Sequence, residues 1–147
     1  MATTWHLYQD TGYEPIDTEH AQISLGLQQL LAAVNAGKPA DAVLVLGSLA
    51  VQVAAHFAHE ERLMAETSYS LAARHKEAHD VFLRDVTKFL EELKARGLTD
   101  PVRRWATGRV LEWFRFHIAA NDVGLGRFLM EREAQRLKAA PPPVTGS

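Results

Sequence analysis

Four histidine-centred patterns give this chain the residue types for metal chemistry. In chain order they are His20, His56-x3-Glu60, His75-x3-His79 and His117-x4-Asp122. Imidazole nitrogens and carboxylate oxygens are donors that suit iron, zinc or manganese. The sequence has no cysteine, so disulfides and thiolate sites are excluded and any metal must rest on nitrogen and oxygen. A spacing of four puts both members of a pair on one face of a helix, one turn apart.

The pairs share their faces with apolar residues. His75 and His79 fall on the stripe that continues through Phe82, Leu83, Val86, Leu90 and Leu93, so the imidazoles are predicted to face the interior. One inward histidine is most simply a hydrogen-bonded core residue. Two on one turn need partners for several buried polar atoms, and a shared metal ion supplies one. His56 and Glu60 repeat the device. His59 has Leu63 four residues on and no helical co-ligand, so it reads as a flank or surface histidine, as does His6. His20, taken alone, is a residue near a helix start.

The last pattern breaks the helical rule. Ala106, Val110, Trp113 and His117 lie on one stripe, and Asp122, Leu125 and Leu129 on another, with a step of five between them. At roughly 100° per residue, the fifth residue points about 140° away from the first. One extra residue absorbed as a π-bulge realigns both ligands and apolar stripe, so a widening is predicted between His117 and Asp122.

Four long segments with helical rhythm must position these groups. The first runs from about Thr18, behind Pro15 and an Asp17 or Thr18 cap, to Ala36 before Gly37. The second starts near Pro39 and reaches about Glu66. Thr67 to Ser70 breaks the chain, and the third segment ends at Arg96 before Gly97. Thr99-Asp100-Pro101 caps a fourth that reaches about Lys138. Short connections favour an all-α, antiparallel up-down-up-down four-helix bundle. Residues 1–16, with Trp5, Tyr8, Gly12 and Tyr13, suit an extended N-terminal arm. The domain is read as residues 1–138, with 139–147 a disordered proline-rich tail.

At 147 residues the chain has the length of one domain, and its 47% hydrophobic and 23% charged residues are those of a globular one. The formal net charge of −2 attracts no nucleic acid. The first residues lack the basic-then-apolar pattern of a secretory signal. No apolar stretch is read as approaching the ~20 residues needed to span a bilayer, so a cytoplasmic protein without membrane insertion is expected.

In order and spacing, the set His20, His56/Glu60, His75/His79 and His117/Asp122 resembles the hemerythrin family, its bacterial members in particular. Trp5, "IDTEH" ending at His20, "HFAHEERLM" from His56 and "WFRFHI" before Asp122 agree with it. The likeness runs from residue 5 to about residue 130. It implies two iron ions with an oxo or hydroxo bridge. His75, His79 and His117 would hold one, His20 and His56 the other, and Glu60 and Asp122 would bridge them. It further implies reversible dioxygen binding, as carrier, store or delivery protein, at the position left open by the lopsided three-to-two allocation. An apolar oxygen pocket is expected from Phe57, Met64, Trp113, Phe114 and Ile118. Two residues depart from the family's habit: Phe114 stands where a leucine is common, and Ser70 follows Tyr69 where a proline is common. Five histidines against two carboxylates favour binding oxygen over cleaving it, so no enzyme is expected. An oxygen- or redox-sensing domain and peroxide or nitric oxide turnover are the competing readings. Besides dioxygen, a protein recipient of the oxygen or a signalling partner is expected.

Overall fold

The computed structural model describes residues 9–140; the expectations on Trp5, His6, Tyr8 and the stretch 141–147 lie outside them. Helix α1 is Glu14–Asn35, α2 is Pro39–Glu66 and α3 is Ala72–Arg96. The fourth helical run, α4, spans residues 100–139 and changes character along its length. It passes through Asp100–Arg104, a π segment Trp105–Arg109, Val110–His117, a second π segment Ile118–Asp122, and Val123–Ala139.

Local chemistry explains most of the boundaries. α1 starts four residues before the predicted Thr18, which removes residues 14–16 from the arm. Pro15 sits in its first turn, where a missing N–H costs nothing, and the N-cap is Tyr13 with no side-chain bond. Asp17 does not cap the helix. Its carboxylate accepts from Thr11 N–H (2.9 Å), Thr11 Oγ1 (2.7 Å) and Gly12 N–H (3.1 Å), tying residues 11 and 12 onto the first turn. α1 and α3 give way to Gly37 (φ 68°) and Gly97 (φ 78°), left-handed positions that suit glycine. The hydroxyls of residues 67–70 do not cap α3, whose N-cap is Leu71. Thr99 does cap α4, accepting from Val102 N–H.

Rungs between helices fix the direction of each. Glu19 reaches His56 and His59, while a Cβ on Gly26 would lie 2.8 Å from Leu49. His75 meets His117, Phe82 meets Trp113, and Phe89 stacks on Trp105. Numbers rise on one helix as they fall on its neighbour, so the architecture is the predicted antiparallel four-helix bundle. At the far end Thr11 packs against Gly126, where an added Cβ would fall 2.6 Å from the threonine Cβ. Only a glycine leaves room there for the entering chain.

Two apolar clusters flank the polar middle of the bundle. The larger includes Leu27, Leu46, Val53, Phe57, Phe82 and Phe114; the smaller is Ile16, Met64, Leu125 and Leu129. On α3 the buried stripe passes through Phe89, while the predicted Leu83 and Leu90 are half-buried at its edges. On α4 the same holds for Phe114 over Trp113. The expectation that no stretch approaches spanning length is corrected by α2. Its best 18-residue window has a mean hydropathy of 1.6, long and apolar enough to cross a bilayer by length and composition, and a third (33%) of it is buried. The inner side of that helix, Leu46, Leu49, Val53 and Phe57, belongs to the bundle core.

Candidate metal centre

Between the two clusters, all seven predicted donors are buried and converge. α1 supplies His20, α2 supplies His56 and Glu60, α3 supplies His75 and His79, and α4 supplies His117 and Asp122. The second π segment makes the last pair possible. Val123 N–H donates to Ile118 O, five residues back, instead of to the carbonyl four back. The predicted widening is therefore present, and Asp122 turns inward beside His117, with Nε2 3.2 Å from Oδ1.

Asp122 is surrounded by imidazoles. His20 Nε2 lies 2.9 Å from Oδ2, and His75 Nε2 3.0 Å from Oδ1. Glu60 faces the others through one oxygen, with His79 Nε2 at 3.2 Å, His56 Nε2 at 3.3 Å and His75 Nε2 at 3.7 Å from Oε1. Apart from the His20 contact these approaches lack hydrogen-bond geometry. Nε2 of His56, His75, His79 and His117, both oxygens of Glu60 and Oδ1 of Asp122 are buried without a hydrogen-bond partner among the described residues. So many orphaned lone pairs pointing into one space are costly unless cations fill it.

The donors sort into two overlapping sets. Glu60, His75, His79, His117 and Asp122 form one; His20, His56, Glu60 and Asp122 form the other. Glu60 and Asp122 belong to both. Two adjacent cation positions with two carboxylates between them is what this donor set can hold.

A second layer aims the imidazoles, and sequence reasoning missed it. His56 Nδ1 bonds Glu19 Oε1 (2.8 Å) and His79 Nδ1 bonds Glu61 Oε2 (3.0 Å). With the proton on Nδ1, the inner Nε2 keeps its lone pair for a metal. His117 Nδ1 lies 3.3 Å from the side-chain amide of Asn121, whose oxygen can take the same proton after an amide flip. His59 lies outside both donor sets, yet it is not an idle surface group. Its Nδ1 shares the Glu19 carboxylate at 2.9 Å, so one carboxylate holds two histidines of α2. The signal was a second carboxylate next to each motif, Glu19 before His20 and Glu61 after Glu60.

The packed charges disturb one another strongly. Burial raises Glu60 well above the usual carboxylate range, and the neighbouring Asp122 charge adds to it. Burial acts on Asp122 in the same direction, yet the close imidazoles of His117, His20 and His75 outweigh it and hold that carboxyl well below its ordinary value. Burial lowers His75, but Asp122 and Glu60 overcome it and bring the pKa up to about 9. His79, buried and facing the other imidazoles, falls to about 2. Opposed shifts of this kind in one cavity are a feature of functional sites.

Of the expected pocket residues, Phe57 stacks on His79 (ring centroids 3.8 Å apart) and Trp113 on His117 (4.6 Å). Phe114 touches both Phe57 and Trp113, and Ile118 is buried directly after His117. Met64 sits on the other side, in the smaller cluster. Two surface depressions, of about 430 and 400 Å³, have ligand-set imidazoles in their walls, His56 in one and His75 in the other.

The Hemerythrin HHE cation binding domain matches residues 11–129 of the chain. The chain belongs to the hemerythrin family. Bacteriohemerythrin of Pseudomonas paraeruginosa (strain DSM 24068 / PA7) is 30% identical over 121 residues, 82% of this chain and 76% of that protein. Bacteriohemerythrin of Stenotrophomonas maltophilia (strain R551-3) is 29% identical over 119 residues, 80% of this chain and 75% of its own length. Myohemerythrin of Sipunculus nudus is 29% identical over 110 residues, covering 75% and 79%. The bacterial hemerythrin-like character expected from the motifs thus holds, and the matched stretch contains all seven donors.

Proposed function

We propose that the chain binds dioxygen reversibly at a non-haem diiron centre, as a carrier, store or delivery protein. The observation that supports this most directly is the sharing of Glu60 and Asp122 by two buried donor sets. In this reading His75, His79 and His117 would hold one iron and His20 and His56 the other. Glu60 and Asp122 would serve both, together with an oxo or hydroxo group. Five imidazoles suit iron, and a carboxylate has one oxygen for each of two cations. A reduced iron pair supplies the electrons that dioxygen borrows on binding and returns on release.

The protein's own part is to hold donors, exclude water and keep protons away. Glu19 and Glu61 fix the imidazoles by their outer Nδ1 edges and do not face the inner Nε2 edges. Phe57, Trp113, Phe114 and Ile118 form the apolar wall against the three-histidine side, with Met64 beyond the opposite face. A cytoplasmic location accords with this role.

Iron analysis and gas exchange test the proposal. Purified protein should hold about two irons per chain, the number the two donor sets can take. Aerating the reduced form should give a visible charge-transfer band that fades under vacuum and returns with oxygen. Steady consumption of peroxide or nitric oxide with a reductant, and no stable oxygenated form, would assign the site to redox turnover instead.

A further inference from the structure

The outer layer around the imidazoles is uneven. Glu19 bonds Nδ1 of His56, Glu61 bonds Nδ1 of His79, and Asn121 stands against Nδ1 of His117. His75 is 2% exposed, and its contacts with Glu60 and Asp122 all run through Nε2, inside the metal cavity. Its Nδ1 has no hydrogen-bond partner among the described residues. That outer edge of the ring meets the depression of about 400 Å³ between the start of α3 and α4. A depression of this size suits a small molecule. Its polar wall is rich in donors, with the Arg74 guanidinium, the Tyr69 hydroxyl and the Asn121 amide around the His75 ring. No carboxylate lines it among the described residues, and Arg74 makes no ion pair with any of them. Tyr69 packs on Phe128, ring centroids 4.8 Å apart, and its hydroxyl lies 3.6 Å from where a Cβ on Gly124 would stand. The rest of the rim is apolar, with Leu71 52% and Phe116 73% exposed.

The geometry points to a binding site for a small organic carboxylate in this depression, where the ligand accepts the Nδ1 proton of His75 as Glu61 accepts that of His79. With Nε2 turned to the metal cavity, the ring proton sits on Nδ1. A nearly buried N–H without an acceptor is costly, so the site gains by filling it. The planar guanidinium of Arg74 matches the two oxygens of a carboxylate, and the Tyr69 hydroxyl and the imidazole N–H offer further donors to the same anion. A single cation balances a single negative charge, which suits a monoacid better than a phosphate dianion. The apolar rim takes the body of the ligand, which favours an aryl or alkyl acid over a bare halide. An acceptor on the outer nitrogen makes the inner one a better metal donor. On the diiron reading above, on which this consequence rests, the bound acid therefore strengthens the hold of His75 on its iron without touching the metal.

Calorimetric titration of benzoate into the iron-loaded chain reads the site directly. Benzoate should bind with a dissociation constant on the order of 1 mM, and benzamide, its neutral counterpart, should not bind. Acetate should bind more weakly than benzoate for want of an apolar body. Arg74→Gln changes an exposed side chain and should weaken benzoate about 10- to 100-fold with unchanged helicity. Saturating benzoate should also slow the loss of iron to a chelator in the wild type and not in Arg74→Gln. Absence of benzoate binding overturns the proposal. Equal binding by wild type and Arg74→Gln does so too, because the acid then sits on the irons or elsewhere. Binding that leaves iron release unchanged separates the acid from His75 and overturns it as well. None of these readouts uses oxygen, so their failure and a failure of reversible oxygen binding are told apart.

Discussion

Glu60 and Asp122 occupy one cavity within reach of the same imidazoles, yet they meet opposite surroundings. Asp122 stands at the π-widened turn of α4 with three histidines against its two oxygens, and it stays ionised. Glu60 stands on a regular stretch of α2, has no hydrogen bond among the described residues, and is pushed toward its neutral form. Burial is nearly equal for the two, so burial does not decide the outcome. The number and alignment of donors around each carboxylate does. Asp122 organises the site before any cation arrives, whereas Glu60 has lone pairs that only a cation can satisfy.

The most severe way to break this contrast is to add one alanine after Ala119, in the second π segment. The widening absorbs one extra residue, so a second would carry Asp122 about 100° away from the cavity, and Leu125 and Leu129 with it. Iron content should fall to background and the thermal transition should lose its cooperativity. Retention of both irons would show that the phase of this turn is not what aims Asp122.

Substitutions of the two carboxylates should separate next, in metal-stripped protein. Asp122→Ala leaves buried imidazoles without their counter-charge and should cost about 3–5 kcal/mol in urea unfolding. Glu60→Gln replaces an orphaned acid by a neutral amide and should change stability by no more than about 1 kcal/mol. Both variants should lose iron. An equal loss of apoprotein stability would erase the distinction.

The titration of the metal-free protein sharpens the same point. His79 is protonated below pH 6.5 when unfolded but only near pH 2 when folded, so its contribution declines as pH falls through that window. His75 is protonated up to about pH 9 when folded, so its stabilisation is lost as pH rises from 6.5 to 9. Glu60 keeps its proton above 4.5 in the folded state, which subtracts stability as pH rises past that value. The slopes of His79 and Glu60 oppose each other between pH 4.5 and 6.5. Thermal midpoints should form a plateau there and drop on both sides. Iron loading should flatten the alkaline limb, because the cations replace the His75 proton.

The smallest effect is expected in the outer layer. Glu19→Gln should weaken iron retention against a chelator by about 10- to 100-fold with little change in folding. An effect confined to thermal stability would make Glu19 a structural residue only.

Much of this site was legible from spacing because helical geometry is local. The pairs His56/Glu60 and His75/His79 announce themselves within one turn, and the five-residue step from His117 to Asp122 announces the distortion it requires. What could not be read depends on side chains meeting across helices. Glu19 finds His56 and His59 from another helix, 37 and 40 residues away, and no period within either segment records that meeting. His59 was set aside for lacking a partner on its own helix, when its partner stood on α1. The early start of α1 was missed for another reason: Thr18 and Asp17 look like caps, but Asp17 is committed to Thr11 and Gly12.

The other π segment, Trp105–Arg109, lies among apolar residues, and Val110 N–H there reaches back five residues to Trp105 O. Its use emerges from counting turns. Val102 and Leu129 are both buried, 27 residues apart, and 27 steps of about 100° make seven and a half revolutions, which would leave them on opposite sides of a regular rod. With one residue absorbed at each widening, about 25 effective steps remain, close to seven whole revolutions. The two irregularities thus work as a matched phase correction, and the one remote from the histidines helps keep the whole rod turned the right way.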